Sequence, residues 1–146
     1  MSEAELQDLL DHRAIEDLLV GYATALDGRH WERLGAIFAP NARVRYGDRD
    51  WLEGPEAVAS YCRRVLERLD LSQHRIGTFD IKVVGDTANS SCYFAAEHVR
   101  TLGRGVARYT VGGTYRDLLE RGAAGWRITQ RELEMSWTDG DPEALR

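Results

Sequence analysis

Four long strand-like segments occupy the second half of the chain, and the short connections between them constrain the fold more than any other feature. We predict strands at His74–Val84, Ala88–Leu102, Val106–Leu119 and Trp126–Trp137. The connections are Gly85-Asp86, Gly103-Arg104-Gly105 and residues 121–125, all too short for the crossover that parallel neighbours require. The sequence therefore predicts an antiparallel meander.

All four of these segments exceed the usual strand length of about 3–10 residues. A sheet of that reach twists and curls, and we expect it to bend at Gly77, Gly112 and Gly113, where glycine interrupts the strands. A curled sheet that is closed off by helices encloses a conical cavity. We expect a ligand to bind in that cavity.

The start of the chain is predicted to be helical. Apolar residues recur every three or four positions from Ala14 to Leu26, and Gly28 then supplies a helix C-cap. Leucines at positions 6, 9 and 10 predict one or two amphipathic turns before this helix. A short second helix is predicted at His30–Phe38, stopping at Pro40.

A short strand and a third helix complete the predicted elements. Residues Ala42–Tyr46 alternate in polarity, which predicts a strand that enters a hairpin toward Trp51. Gly54-Pro55-Glu56 opens a helix with proline in its first turn. Helices first and a meander last predict an α+β fold, one domain over residues 1–146, with helices on one face of the sheet.

Composition excludes several classes of protein. Of 146 residues, 43% are hydrophobic and 29% charged, and the net charge of −5 argues against a nucleic-acid partner. The N-terminus lacks the features of a signal peptide, and no segment reaches the ~18 apolar residues of a membrane span. We therefore expect a cytoplasmic protein.

Cys62 and Cys92 lack CxxC spacing and are expected to be buried free thiols.

Asp27 is the first candidate site residue because its position is unfavourable for an acid. A carboxylate in the last turn of a helix opposes the helix dipole, at a cost of about 0.3–1 kcal/mol. A compensating partner is therefore expected, and His74 and His98 lie on later strands. His98 alternates with Phe94 and Ala96, which predicts that its side chain faces inward. We predict that Asp27 pairs with one of these histidines across a pocket.

Such a pair has a specific chemistry. A histidine, with an unperturbed pKa of about 6.5, accepts a proton near neutral pH, and a carboxylate on its other nitrogen stabilises the imidazolium. Asp27 and His74 could therefore abstract a C–H proton next to a carbonyl. A hydroxyl of Tyr22 or Tyr46 could bind the enolate oxygen, and His98 could protonate a leaving hydroxyl. The hypothesis is an elimination or isomerisation without metal or redox cofactor.

The same residues have structural alternatives. Asp27 could cap the following helix, the histidines could be satisfied core residues, and the tyrosines could be core aromatics with a bonded hydroxyl. A two-histidine, one-carboxylate metal site is a weaker alternative, because no HExxH or Cys/His spacing accompanies these residues. No glycine-rich loop opens a helix, so no nucleotide cofactor is predicted.

Two segments of the chain resemble the SnoaL-like branch of the NTF2-like superfamily. They are residues 22–31 (YATALDGRHW) and 38–42 (FAPNA), and further matches follow in the expected order at Tyr46, 54–56, Gln73-His74, Glu97-His98 and 125–128. The resemblance implies a cone of helices packed on a strongly curved, mainly antiparallel sheet. The superfamily contains dehydratases, isomerases, cyclases, epoxide hydrolases, dehydrochlorinases and non-catalytic binders, so fold alone does not define the function.

Two kinds of enzyme in this superfamily are similar at the pocket positions. The resemblance to scytalone dehydratases covers Asp27, His74, His98 and Tyr46, and the resemblance to bile acid 7α-dehydratases covers Tyr22, Asp27 and His74. Scytalone dehydratases have a second tyrosine where this chain has Leu26, and the bile acid enzymes lack the histidine matched by His98. The implied substrate is a hydrophobic oxygenated ring compound, such as a polyketide, steroid or aromatic intermediate.

Other functions remain open at this point. NTF2-like domains also serve as small-molecule binders or as accessory subunits of larger enzymes. Limonene-epoxide-hydrolase-like chemistry is a weaker alternative. It needs an Asp–Arg–Asp arrangement around a water, and the sequence offers no evident carboxylates for it, because Asp80 and Glu97 alternate onto other faces. We also expect a homo-oligomer, a dimer or a trimer, formed through aromatic residues on the outer sheet face, namely Tyr93, Tyr109, Tyr115 and Trp137.

Overall fold

Three helices and one six-stranded sheet make up the structure, a computed structural model that describes residues 1–146. The helices are α1 (Glu3–Gly28), α2 (Trp31–Gly35) and α3 (Pro55–Leu66). The strands are β1 (Phe38–Tyr46), β2 (Leu52–Glu53), β3 (Leu71–Val84), β4 (Thr87–Leu102), β5 (Gly105–Gly122) and β6 (Gly125–Gly140), followed by a 3₁₀ turn at Pro142–Leu145. The expected α+β class is confirmed.

The sheet has the order β2-β1-β6-β5-β4-β3. Strands β3 to β6 form the predicted antiparallel meander, and β1 joins it by pairing in parallel with β6. Register shifts occur after Gly77 in β3 and between Gly112 and Gly113 in β5. A Cβ at Gly113 would overlap the backbone oxygen of Glu134, so only glycine permits this bend. The expected bends at these glycines are confirmed.

Two helix boundaries differ from the prediction. Helix α1 starts at Glu3 rather than near Ala14, because a capping box between Ser2 and Glu5 satisfies its first amide groups. Helix α2 ends at Gly35 rather than at Phe38. The amide of Ile128 donates to the carbonyl of Ile37 at 2.9 Å, so the parallel pairing with β6 draws this segment into a strand.

The core lies between the helices and the concave face of the sheet. It is a cluster of 23 buried residues to which α1 contributes Ile15, Leu19, Tyr22, Ala25 and Leu26. Cys62 of α3 and Cys92 of β4 are buried and free, as expected, and burial raises the pKa of each thiol to about 11. None of the helices is both long and apolar enough to cross a membrane.

The expectation that Tyr109 and Tyr115 lie on the outer sheet face is wrong. Tyr115 is 2% exposed and Tyr109 packs partly against the core. Their cross-strand partners are Cys92 and His98, both inward-facing, and paired residues share one face of a sheet. The other two aromatics of that prediction, Tyr93 and Trp137, are exposed.

Candidate active site

A cavity of about 220 Å³ lies on the concave side of the sheet, between α1, α3 and strands β3 to β6. Of its 18 lining residues 14 are hydrophobic, and all of the predicted site residues except Asp27 line it: Tyr22, Tyr46, His74 and His98. A larger hollow of about 350 Å³ has a polar lining around Asn89, Arg116 and Gln130 and holds none of the predicted site residues. The apolar cavity is therefore the candidate site.

Asp27 and His74 form a hydrogen-bonded pair where the end of α1 meets β3. One carboxylate oxygen of Asp27 accepts a hydrogen bond from Nδ1 of His74 at 2.7 Å and one from the Ser72 hydroxyl at 3.2 Å. The other oxygen accepts the backbone N–H of His74 at 2.8 Å. The His74 side chain is 7% exposed. The predicted meeting of these two residues is therefore present in the structure.

The carboxyl group of Asp27 is held in its charged form. Burial alone would raise its pKa, but the hydrogen bonds from the His74 ring, the His74 amide and Ser72 outweigh burial and lower the pKa. Since an ionised carboxylate only accepts, Nδ1 of His74 carries the proton and Nε2 is the basic atom. No protein group bonds Nε2, and the ring lines the cavity. His74 can therefore act as a general base.

His98 is 5% exposed and lies beside His74. The two ring centroids are 6.0 Å apart, with the rings nearly perpendicular. Nδ1 of His98 donates to the backbone carbonyl of Tyr109 at 2.9 Å, so Nε2 of the neutral ring is a hydrogen-bond acceptor. Burial lowers the pKa of His98, and the Tyr109 carbonyl only partly opposes it. A neutral His98 can orient a hydroxyl group in the cavity.

The two predicted tyrosines also meet. The hydroxyls of Tyr22 and Tyr46 are 2.7 Å apart, and the Tyr46 hydroxyl lies 3.3 Å from Sγ of Cys62. Burial raises the pKa of both phenols well above the ordinary value. They therefore stay protonated and can donate a hydrogen bond to a developing negative charge.

Arg131 and Asp117 form a buried pair that sequence reasoning missed, and Arg131 contacts two tyrosines of the cavity lining. The two side chains form a bidentate ion pair, with both N–O distances at 2.7 Å. The guanidinium carbon lies 4.2 Å from the ring centroids of both Tyr22 and Tyr115, and Nη1 has no hydrogen-bond partner. Burial opposes the charge of Arg131, but Asp117 outweighs burial and raises its pKa. Their pairing depends on the register between β5 and β6, which no local sequence pattern signals.

Ser72 and Arg29 are two further residues that sequence reasoning missed. Arg29 caps α1 in a left-handed conformation, and its guanidinium donates to the Ser72 hydroxyl at 2.7 Å. The Ser72 hydroxyl in turn donates to Asp27. No group of three or more His, Cys, Asp or Glu side chains is placed to hold a metal ion.

The fold and this cavity define an α+β cone with a candidate acid–base site, and comparison with known proteins gives its family. A profile of the SnoaL-like domain matches residues 7–132, so the chain belongs to the SnoaL-like family. The uncharacterized protein Rv2910c of Mycobacterium tuberculosis is 31% identical over 138 residues, which cover 90% of this chain and 87% of that protein.

Two solved structures show the same fold. A protein of Novosphingobium aromaticivorans, provisionally assigned as a scytalone dehydratase, has a TM-score of 0.83 and 25% identity over 92% of this chain and 89% of its own. The hexachlorocyclohexane dehydrochlorinase LinA-type3 of Novosphingobium barchaimii has a TM-score of 0.81 and 20% identity over 94% of each chain. The predicted membership of the SnoaL-like family is confirmed.

Proposed function

We propose that this protein is a cofactor-independent enzyme, either a lyase of the dehydratase type or an isomerase. Its substrate is a small hydrophobic oxygenated ring compound. The observation that carries the proposal is the Asp27–His74 pair, whose free Nε2 belongs to a mostly apolar cavity. Two structural relatives bear the names of a dehydratase and a dehydrochlorinase, both of which denote eliminations.

The first step is proton abstraction from a carbon next to a carbonyl. Nε2 of His74 takes the proton, and the electron pair of the C–H bond moves to the carbonyl oxygen to form an enolate. The Asp27 carboxylate stabilises the imidazolium that results. A hydroxyl of Tyr22 or Tyr46 donates to the enolate oxygen. Arg131, packed against Tyr22, holds that ring in place.

The second step returns the proton. The enolate electrons form a carbon–carbon double bond and expel a hydroxyl from the β-carbon, while the His74 imidazolium gives its proton to that hydroxyl to form water. If the same proton is delivered to a different carbon, the reaction is an isomerisation. We assign His98 as the acceptor that orients the substrate hydroxyl, because its neutral Nε2 carries no proton to donate. This refines the acid role that the sequence suggested.

The test is turnover by variants of the pair on hydroxy-ketones, screened for loss of water. We expect His74→Ala and Asp27→Asn to stay folded by circular dichroism and to lower kcat/KM by about 10²–10⁴-fold, the usual contribution of a general base. Tyr93→Phe, on the outer face of the sheet, is the matched control and should keep full activity. Full activity in both pair variants would exclude this mechanism.

The alternative is a non-catalytic binder or an accessory subunit of a larger enzyme. A binder needs no hydrogen bond between a carboxylate and a histidine base. If hydroxy-ketones bind in the cavity and none is converted by the wild-type protein, the binder is the correct assignment.

A further inference from the structure

The wall of the cavity holds a single arginine or lysine. Arg49, in the turn that follows β1, is the only one of the 18 lining residues that carries a permanent charge, and no carboxylate lines the cavity. The residue is exposed to solvent. Arg49 therefore lies at the mouth of the cavity. It is the residue through which the cavity would prefer a charged ligand over a neutral one.

A second arginine lies close to the same place. The guanidinium carbons of Arg49 and Arg64 are 5.8 Å and 5.5 Å from the ring centroid of Tyr61. The Tyr61 ring stacks on the ring of Tyr46, with centroids 5.1 Å apart and planes inclined by 13°. The two arginines are thus joined through one aromatic stack to a hydroxyl of the candidate site.

Neither arginine has a counter-charge within 4.0 Å, the limit of an ion pair. Nearby arginines do have one: Arg45 of β1 pairs with Glu132 at 2.6 Å, and Arg63 of α3 pairs with Glu67 at 2.9 Å. Asp48 and Asp50 flank Arg49 in sequence, and neither carboxylate comes within that limit. Because the whole chain has a net charge of −5, this local positive charge does not follow from composition.

Two unpaired guanidinium groups that approach the same ring attract an anion. Each offers several N–H donors in a planar fork that matches the geometry of carboxylate and phosphate oxygens. At an exposed position, contact with an aromatic ring stabilises a cation by only about 0.5–1 kcal/mol. An anionic oxygen group at the mouth would supply the missing counter-charge.

The geometry points to a substrate that carries an anionic oxygen group, a carboxylate or a phosphate, held at the mouth by Arg49 and Arg64. The apolar part of the substrate lies in the cavity, whose 220 Å³ is below the ~300–1,000 Å³ of pockets for drug-sized ligands. This volume suits one or two rings rather than the four of a steroid. The statement about the substrate rests on the proposed function, whereas the anion site itself does not.

The test compares a charged ligand with its neutral analogue. Binding of 2-naphthoate and of 2-naphthamide is measured by calorimetry at low salt with the full chain. We expect 2-naphthoate to bind about two- to fivefold more tightly than the amide, the range expected of one exposed ion pair, and this preference to shrink as salt is added. Binding of 2-naphthyl phosphate then distinguishes a phosphate site from a carboxylate site.

Variants assign the preference to the two arginines. R49Q should abolish the preference for 2-naphthoate and leave 2-naphthamide binding unchanged, and R64Q should reduce it partly. R63Q is the matched control, because Arg63 is adjacent on α3, is already paired with Glu67 and does not line the cavity. Equal binding of the two ligands by the wild-type protein, or an equal loss of both in R49Q, would overturn the inference.

A His74→Ala variant separates this inference from the proposed function. It should keep the preference for 2-naphthoate even where turnover is lost. If the wild-type protein prefers 2-naphthoate but converts no hydroxy-ketone, the anion site stands and the proposed enzyme does not. If it converts hydroxy-ketones and shows no charge preference, the enzyme stands and the anion site does not.

Discussion

The carboxylate of Asp27 lies at the C-terminal end of its helix, where the helix dipole disfavours a negative charge. Three hydrogen-bond donors compensate for this cost. The ring and the amide of His74 supply two of them, and the Ser72 hydroxyl supplies the third. The Ser72 hydroxyl is itself fixed, because it accepts a hydrogen bond from Arg29. Hydrogen bonds to a charged group contribute about 1.5–3 kcal/mol each, more than the dipole cost of the position. Ser72 is therefore expected to position the carboxylate without touching the substrate.

We predict that Ser72→Ala raises the pKa of Asp27 toward its ordinary value, because one of the bonds that lower it is removed. The acid limb of the pH–rate profile should then move to higher pH, with a loss of up to about tenfold in kcat near neutral pH, equivalent to one hydrogen bond. The measurement is kcat and KM against pH for the variant and for the wild-type protein.

Ser91→Ala is the control for this prediction, since Ser91 lies on β4 next to the polar hollow and away from the cavity. A Ser72→Ala variant with lower kcat but an unchanged acid limb would mean that Ser72 has only a structural role.

The same residues show what the sequence could predict. Asp27 was identifiable because an acid at a helix C-terminus conflicts with the local electrostatics. Arg131 was not, because a bulge at Thr129 interrupts the alternation of β6. Ile128 and Arg131 both face inward although they are three positions apart, and the register shift that permits this depends on the pairing with β5.

At the scale of elements, local sequence patterns could not predict which distant segments pair with each other. The predicted strands and helices are present because their periodicity is local. The end of α2 and the start of β1 were misplaced because Phe38 pairs with Ile128, which is far away in sequence. Likewise, the inward position of Tyr115 follows from its partner Cys92 and not from its own neighbours.

Helix α1 is tied to the edge strand β3 by His12. Its Nδ1 lies 2.8 Å from the carbonyl of Asp8, and its Nε2 lies 3.0 Å from the carbonyl of Ile81. Since carbonyls only accept, both bonds form only when both ring nitrogens carry a proton. The Asp8 carbonyl, then the Ile81 carbonyl and the charges of Asp8 and Asp11, raise the pKa of His12 against the opposing effect of burial. The protonated ring is the form that joins the two elements.

We predict that this contact makes stability depend on pH. Because the pKa is raised in the folded state, the contribution is complete below the unfolded value of about 6.5 and is lost as pH rises through the folded pKa. His12→Ala should therefore lower the free energy of unfolding more at pH 5.5 than at pH 9. The side chain is 38% exposed, so the difference should stay below about 1 kcal/mol.

Urea unfolding of both proteins at these two pH values measures this difference. The contact would have no such role if His12→Ala cost the same stability at both. His30→Ala is the control, because His30 is exposed and its ring makes no hydrogen bond.

At the scale of the whole molecule, the outer face of the sheet has an exposed aromatic centre. Tyr93 is 60% exposed and Trp137 is 50% exposed, and the Trp137 ring lies against Gly112. Ion pairs flank this centre, with Arg116 bound to Glu134 at 3.0 Å and Arg75 bound to Glu97 at 3.4 Å. An apolar centre with a polar rim is the usual composition of a protein–protein interface. We therefore propose that two copies of the chain associate through this face.

The prediction is a homo-oligomer that depends on Trp137. The wild-type protein should be a dimer, with a trimer as the alternative, when measured by size-exclusion chromatography with light scattering at micromolar concentration. Trp137→Ser should shift it toward the monomer, because removing a buried aromatic anchor typically costs an interface 2 kcal/mol or more. Val84→Ser is the matched control, since Val84 is 78% exposed at the far end of β3 and should leave the assembly unchanged. A wild-type protein that is monomeric at these concentrations would show that the aromatic face has another role.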